Sequence, residues 1–81
     1  MSSLTTEQIQ MARAALGWSL EVLSKKSGVS ARTIRRIESE SGLEKATGAN
    51  LKLIRQTLEG AGIEFIGSVE EGPGVRLWSQ G

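Results

Sequence analysis

The sequence predicts a mainly α-helical domain: four helices, followed by a two-stranded β extension at the C-terminus. Three observations carry this. Apolar residues recur at helical spacing, as in Ile9-Ala12-Leu16 and Leu51-Ile54-Leu58-Ala61. A Thr or Ser able to cap free N–H groups precedes each helical stretch: Thr5, Ser19, Ser30 and Thr47. After Gly62 the pattern changes to two short β-prone runs, Ile63-Glu64-Phe65-Ile66 and Val75-Arg76-Leu77-Trp78, joined by a Gly-rich connection. Residues 1–62 thus read as the helical domain and 63–81 as a β-hairpin extension.

The first helix starts at Thr5, with Gln8 three residues on to complete a capping box and Leu4 placed to staple onto Ile9. It runs to about Leu16 and stops at Gly17. Trp18 reads as a packing wedge between helices. Ser19 caps a second helix, Leu20 to Ser27, and a third runs from about Ala31 to Ser39. Residues 40–46 read as a loop. Thr47 caps a fourth helix that ends near Gly60 or Gly62, with Lys52 and Arg55 off its apolar stripe and solvated. An isolated hairpin is marginal in water. The C-terminal one must pack on the helices, pair with another chain, or both.

The most informative stretch is residues 23–38. Gly28 can take the positive φ that ends a helix. Ser30 can cap the next one, and Val29 forms an apolar plug between them. Leu23, Val29, Ile34 and Ile37 then point to one side and Arg32, Arg35 and Arg36 to the other. Two helices joined by a tight turn, with a basic outer face on the second, form a helix-turn-helix pattern. Charge supports it. Between Val22 and Ile37 there are five basic residues and no acid, whereas from Glu38 onward four bases face seven acids. That asymmetry suggests a face for a polyanion.

Residues 13–38 resemble the phage-repressor-like XRE family of helix-turn-helix transcription regulators. The resemblance rests on Gly28-Val29-Ser30, Thr33-Ile34 and Arg36-Ile37-Glu38 at the family's spacing, and it extends over about two thirds of the chain. It implies a repressor-type fold, a recognition helix in the major groove of double-stranded DNA, and dimers on paired half-sites. Ala31, Arg32 and Arg36 would face base edges, and Lys26, Ser30, Thr33 and Arg35 phosphates. Arg35 and Arg36 could exchange roles, since the helix's rotation in the groove is not legible from sequence. Arg13 stands where the family often has an Arg paired with the residue at Glu38, which implies a structural ion pair. The chain departs from the family in three places. Leu20 replaces a Gln that commonly touches phosphate, Val22 replaces a polar residue, and the 40–46 loop is acidic, leaving only Lys45 there to meet a phosphate.

Length and composition bound the rest. Eighty-one residues support one small core. The chain has no Cys and no His, and all of its acids are Glu. Disulfides, thiolate metal sites, the commonest general base and an Asp-containing triad are therefore missing. The expectation is a regulator and not an enzyme, with no cofactor and no metal. No apolar run approaches the roughly 20 residues that span a bilayer. No signal-peptide pattern opens the sequence, so a cytoplasmic location is expected. Ile63 and Phe65 share one face of their strand, and Val75 and Leu77 one face of theirs, which suggests a homodimer interface. The alternative function is an antitoxin-like module that grips a toxin or other protein. Leu20 and Val22, expected to be exposed, the acidic loop and the β-rich tail all fit it.

Overall fold

The structure is a computed structural model that describes residues 4–39, 47–68 and 70–78. Four helices and a hairpin follow in the order α1 (Thr6–Leu16), α2 (Leu20–Ser27), α3 (Ala31–Ile37), α4 (Gly48–Gly60), β1 (Ile63–Ile66) and β2 (Gly74–Leu77). Local chemistry sets these boundaries. The side chains of Thr5, Ser19, Ser30 and Thr47 each accept a backbone N–H three residues on. At α1 the capping box is complete, because the Gln8 side chain also accepts the Thr5 N–H.

The helices and the hairpin close over one core of Leu4, Ile9, Ala12, Leu23, Val29, Ile34, Ile37, Ile54, Leu58 and Ile63. Leu16, Trp18, Leu20, Leu51, Phe65 and Val75 pack around its margin. Each fully buried Ile or Leu contributes about 1.5–3 kcal/mol relative to exposure. The helical stripes read from the sequence thus supply much of the core, with Leu16 and Leu51 at its margin and Ala61 outside it.

Three features differ from the sequence expectation. First, α3 ends at Ile37, two residues short, where the Ser39 N–H and hydroxyl turn back to the Arg36 carbonyl at 3.1 and 2.6 Å, and α1 meets the carbonyls left free. Thr6 Oγ1 donates to the Ile37 carbonyl at 3.2 Å and Gln10 Nε2 to that of Glu38 at 3.3 Å. Second, Arg55 is not a free solvated charge. Its Nε donates to Glu59 Oε2 at 3.1 Å, and its guanidinium lies 5.4 Å from the Phe65 ring centre. Third, the expected dimer residues are placed differently, because the hairpin packs on the helices, an arrangement the sequence left open. Its strands pair antiparallel with Ile63 opposite Leu77 and Phe65 opposite Val75. Ile63, expected at a dimer interface, is 3% exposed and sits in the core of its own chain. Phe65 and Val75 also lean on that core, so of the four expected interface residues only Leu77 is largely exposed.

Gln8 ties the hairpin down. Its side chain is buried, and Nε2 donates to the carbonyls of Ile66 (3.2 Å) and Gly74 (3.0 Å) at the hairpin's loop end. On the other face Glu64 Oε1 accepts from Arg76 Nη1 at 3.2 Å and from the Trp78 indole at 2.8 Å. Gly67 opens the connecting loop at φ +78°, and a Cβ there would run into the Gly72 carbonyl oxygen.

The first and third helices are locked by an ion pair. Arg13 Nε and Nη2 donate to Glu38 Oε2 and Oε1, both at 2.8 Å, in a two-pronged contact. The Glu38 side chain is 7% exposed and that of Arg13 21%. The hydrogen bond to Glu38 holds the Arg13 pKa above its usual value. The raised direction means that this stabilisation is complete below the ordinary guanidinium pKa and is lost only as pH rises past it. From the Arg13 side, the clamp therefore does not titrate at neutral pH.

Two stability predictions follow from these contacts. Arg13→Ala strands the Glu38 carboxylate, a loss that costs about 3–5 kcal/mol for a buried pair. Thermal melting should show a large drop for it and almost none for Lys52→Ala, whose parent side chain is exposed; equal drops would contradict the clamp. Gly67→Ala forces a side chain into left-handed backbone and should destabilise by about 1–3 kcal/mol. Gly48→Ala, at an open position in the first turn of α4, should be neutral or stabilising in the same melts.

Candidate nucleic-acid interface

The candidate interface is built on α2, the turn after it, and α3. α2 stops where Gly28 turns to φ +79°, a left-handed conformation that costs glycine nothing, and its N–H still reaches the Ser24 carbonyl at 2.9 Å. Val29 follows as a buried plug, and its N–H donates to the Ser27 hydroxyl at 3.2 Å. Ser30 then starts α3. Its Oγ accepts the Thr33 N–H at 3.2 Å and donates its own proton to Thr33 Oγ1 at 2.8 Å. The two hydroxyls thus form one polar corner at the start of α3.

α3 has two faces. Ile34 and Ile37 are 0% and 1% exposed and anchor the helix in the core. Arg32, Arg35 and Arg36 are exposed, while Ala31 and Thr33 are partly covered. Arg32 and Arg36 lie four residues apart and share one stripe of the surface. Arg35 leans back toward α2, where its Nη2 stands 4.0 Å from Glu21 Oε2. Seven residues make α3 about 10 Å long, comparable with the roughly 12 Å width of the DNA major groove.

The other expected contacts are placed unevenly. Lys26 is exposed, but its ammonium lies 5.3 Å from the Trp18 ring centre, which gives the charge a defined seat. The Trp18 carbonyl in turn accepts from Arg13 Nη1 at 3.3 Å. The Glu38–Arg13 clamp is thereby linked to the Lys26 seat through Trp18. Lys45 lies outside the described residues. Leu20 and Val22 are both partly covered, and Leu20 packs on the core. They therefore do not form the exposed apolar pair that the protein-gripping alternative needed.

Sequence reasoning missed four contributors to this region. Thr6 and Gln10 hold the end of α3 but carry no periodic apolar signal. Glu21 faces Arg35 from the neighbouring helix. Trp18 carries only a packing signal in the sequence, although its ring also seats Lys26. Their spacings, Thr6-Gln10-Arg13 on one helix stripe and Trp18 two turns before Lys26, were the available signals. Among the described residues no group of acidic side chains is placed to hold a metal ion, and no helix is long and apolar enough to cross a membrane.

The helix-turn-helix family matches residues 9–60, from the second turn of α1 to the end of α4. No curated protein and no solved structure matches significantly. The matched span covers well over half of the chain and contains the turn, both of its helices and the Arg13–Glu38 clamp. The chain belongs to the XRE-type helix-turn-helix family of DNA-binding regulators.

Proposed function

We propose that the protein is a sequence-specific transcription regulator, a repressor in the cytoplasm, that lays α3 into the major groove of double-stranded DNA. The observation that carries this reading is the two-sidedness of α3, with two isoleucines sunk in the core and arginines on the opposite face. Ala31, Arg32 and Arg36 are assigned to base edges. Arginine's planar fork matches the O6 and N7 acceptors of guanine. Ser30 and Thr33 at the start of α3, with Lys26 and Arg35 at its flanks, are assigned to phosphates, which fix register without reading sequence. Arg35's lean toward Glu21 supports Arg36, rather than Arg35, as the partner of Arg32 in base reading.

A homodimer on two half-sites completes the reading. Its support is the two-stranded sheet itself, whose outer edges have no neighbouring strand among the described residues, together with Leu77, 45% exposed on β2.

Selection of a preferred duplex from a random pool, followed by binding to its single-base variants across a salt series, tests the function. Arg32→Ala should flatten the preference at one or two base pairs of each half-site, a loss of about 1–3 kcal/mol of discrimination. Lys26→Ala should weaken all sequences alike and lower the salt dependence by roughly one counterion. Uniform weakening by Arg32→Ala would make Arg32 a phosphate contact and overturn the assigned orientation. For the dimer, sedimentation should find Leu77→Glu monomeric at concentrations where the unaltered chain is dimeric. An unaltered chain that is monomeric at high micromolar concentration would rule the dimer out.

A further inference from the structure

We infer that Glu21 is a built-in competitor for Arg35, which holds that arginine off the DNA phosphate and so lowers the affinity of the interface. The inference rests on α3 being the DNA-reading helix, as proposed above, and adds a residue that tunes it.

Glu21 is the acidic residue at the edge of an otherwise basic stretch. The next sixteen residues hold Lys25, Lys26, Arg32, Arg35 and Arg36 and no acid. Its carboxylate is directed across the turn to α3, with Oε2 4.0 Å from Arg35 Nη2. At that separation the contact is an ion pair without a well-formed hydrogen bond. Both side chains are mostly in water, 72% and 66% exposed. Exposed pairs of this kind contribute little to folding. A carboxylate in the first turn of α2 also favours that helix, but any orientation of the side chain would serve that end. The same carboxylate also acts, as the smallest of the causes, on the Arg13 charge, and its 4.0 Å approach to Arg35 bears on binding wherever Arg35 meets an anionic backbone.

Binding then has a local exchange built into it. Arg35 must leave Glu21 to meet a phosphate oxygen, and Glu21 is left close to the same negative surface. Both effects lower affinity for any duplex, because phosphates carry no sequence information. Glu21 thus depresses affinity uniformly and leaves base preference intact.

The test is a double-mutant cycle with Glu21→Gln and Arg35→Gln, in which the four proteins bind the duplex selected by the unaltered chain and an unrelated duplex, across a salt series. Glu21→Gln should tighten binding to both duplexes by roughly fivefold at low salt, the scale of one surface charge pair, and steepen the salt dependence by about one counterion. In the Arg35→Gln background the same change should give a clearly smaller gain, since no arginine remains to be released. The melting temperature of Glu21→Gln should fall by no more than a few degrees, the scale of the same exposed pair. An equal gain in both backgrounds would overturn the inference and leave Glu21 a diffuse charge. Weaker binding at one base pair only would also overturn it, by making Glu21 a base reader. If the unaltered chain shows no salt-dependent DNA binding, the functional reading falls and this inference with it. Loss of the gain in a chain that does bind DNA removes this inference alone.

Discussion

The two-pronged bond between Arg13 and Glu38 is the contact on which the rest of the structure depends. α3 is only seven residues long, too short to be stable by its own hydrogen bonds. Ile34 and Ile37 fix its inner face, but they leave its end carbonyls and its tilt undetermined. α1 supplies what is missing. Thr6, Gln10 and Arg13, spaced at helical intervals along one side, hold the Ile37 carbonyl, the Glu38 carbonyl and the Glu38 carboxylate. A helix that carries arginines on its outer face is thereby clamped from behind. The same arginine holds the Trp18 carbonyl, and the Trp18 ring seats Lys26. One guanidinium therefore orders parts of α1, α2 and α3 together.

The hairpin extends this economy to the other side of α1. Gln8 completes the N-terminal cap of α1 with one end of its amide and holds the Ile66 and Gly74 carbonyls with the other. A single buried amide thus meets both halves of its hydrogen-bonding demand, one within its own turn and one across the fold. Ile63 enters the core from β1, while Arg55 of α4 stacks on Phe65. The hairpin is accordingly a structural cover for the helical domain, and its polar outer face of Glu64, Arg76 and Trp78 is stitched together in water.

What was legible in the sequence was local. The caps at Thr5, Ser19, Ser30 and Thr47 act within three residues, so each could be read from its own neighbourhood. The stops at Gly17 and Gly28, and the apolar stripes with period near 3.6, could be read in the same way. At the interface, the positions of Arg32 and Arg36 opposite Ile34 and Ile37 followed from that same period. What was not legible depends on partners far away in the chain. The tether of Gln8 spans 58 and 66 residues. Arg55 read as solvated because its aromatic partner belongs to the hairpin. Ile63 read as an interface residue because alternation along a strand reveals a face without revealing what covers it. Glu21 went unnoticed because it lies just outside the basic stretch, while its carboxylate reaches across the turn into it.

Together these contacts describe a small domain in which α3 is held from behind by α1 and carries Arg32, Arg35 and Arg36 on its outer face, with the Glu21 carboxylate 4.0 Å from Arg35. The most direct test is a crystal structure of the protein on a duplex that it selects. The account predicts α3 in the major groove with Arg32 and Arg36 against base edges, and with the Arg13–Glu38 contact intact in both prongs. A complex with α3 lying along the phosphate backbone, or with that contact broken while the bases are read, would contradict it.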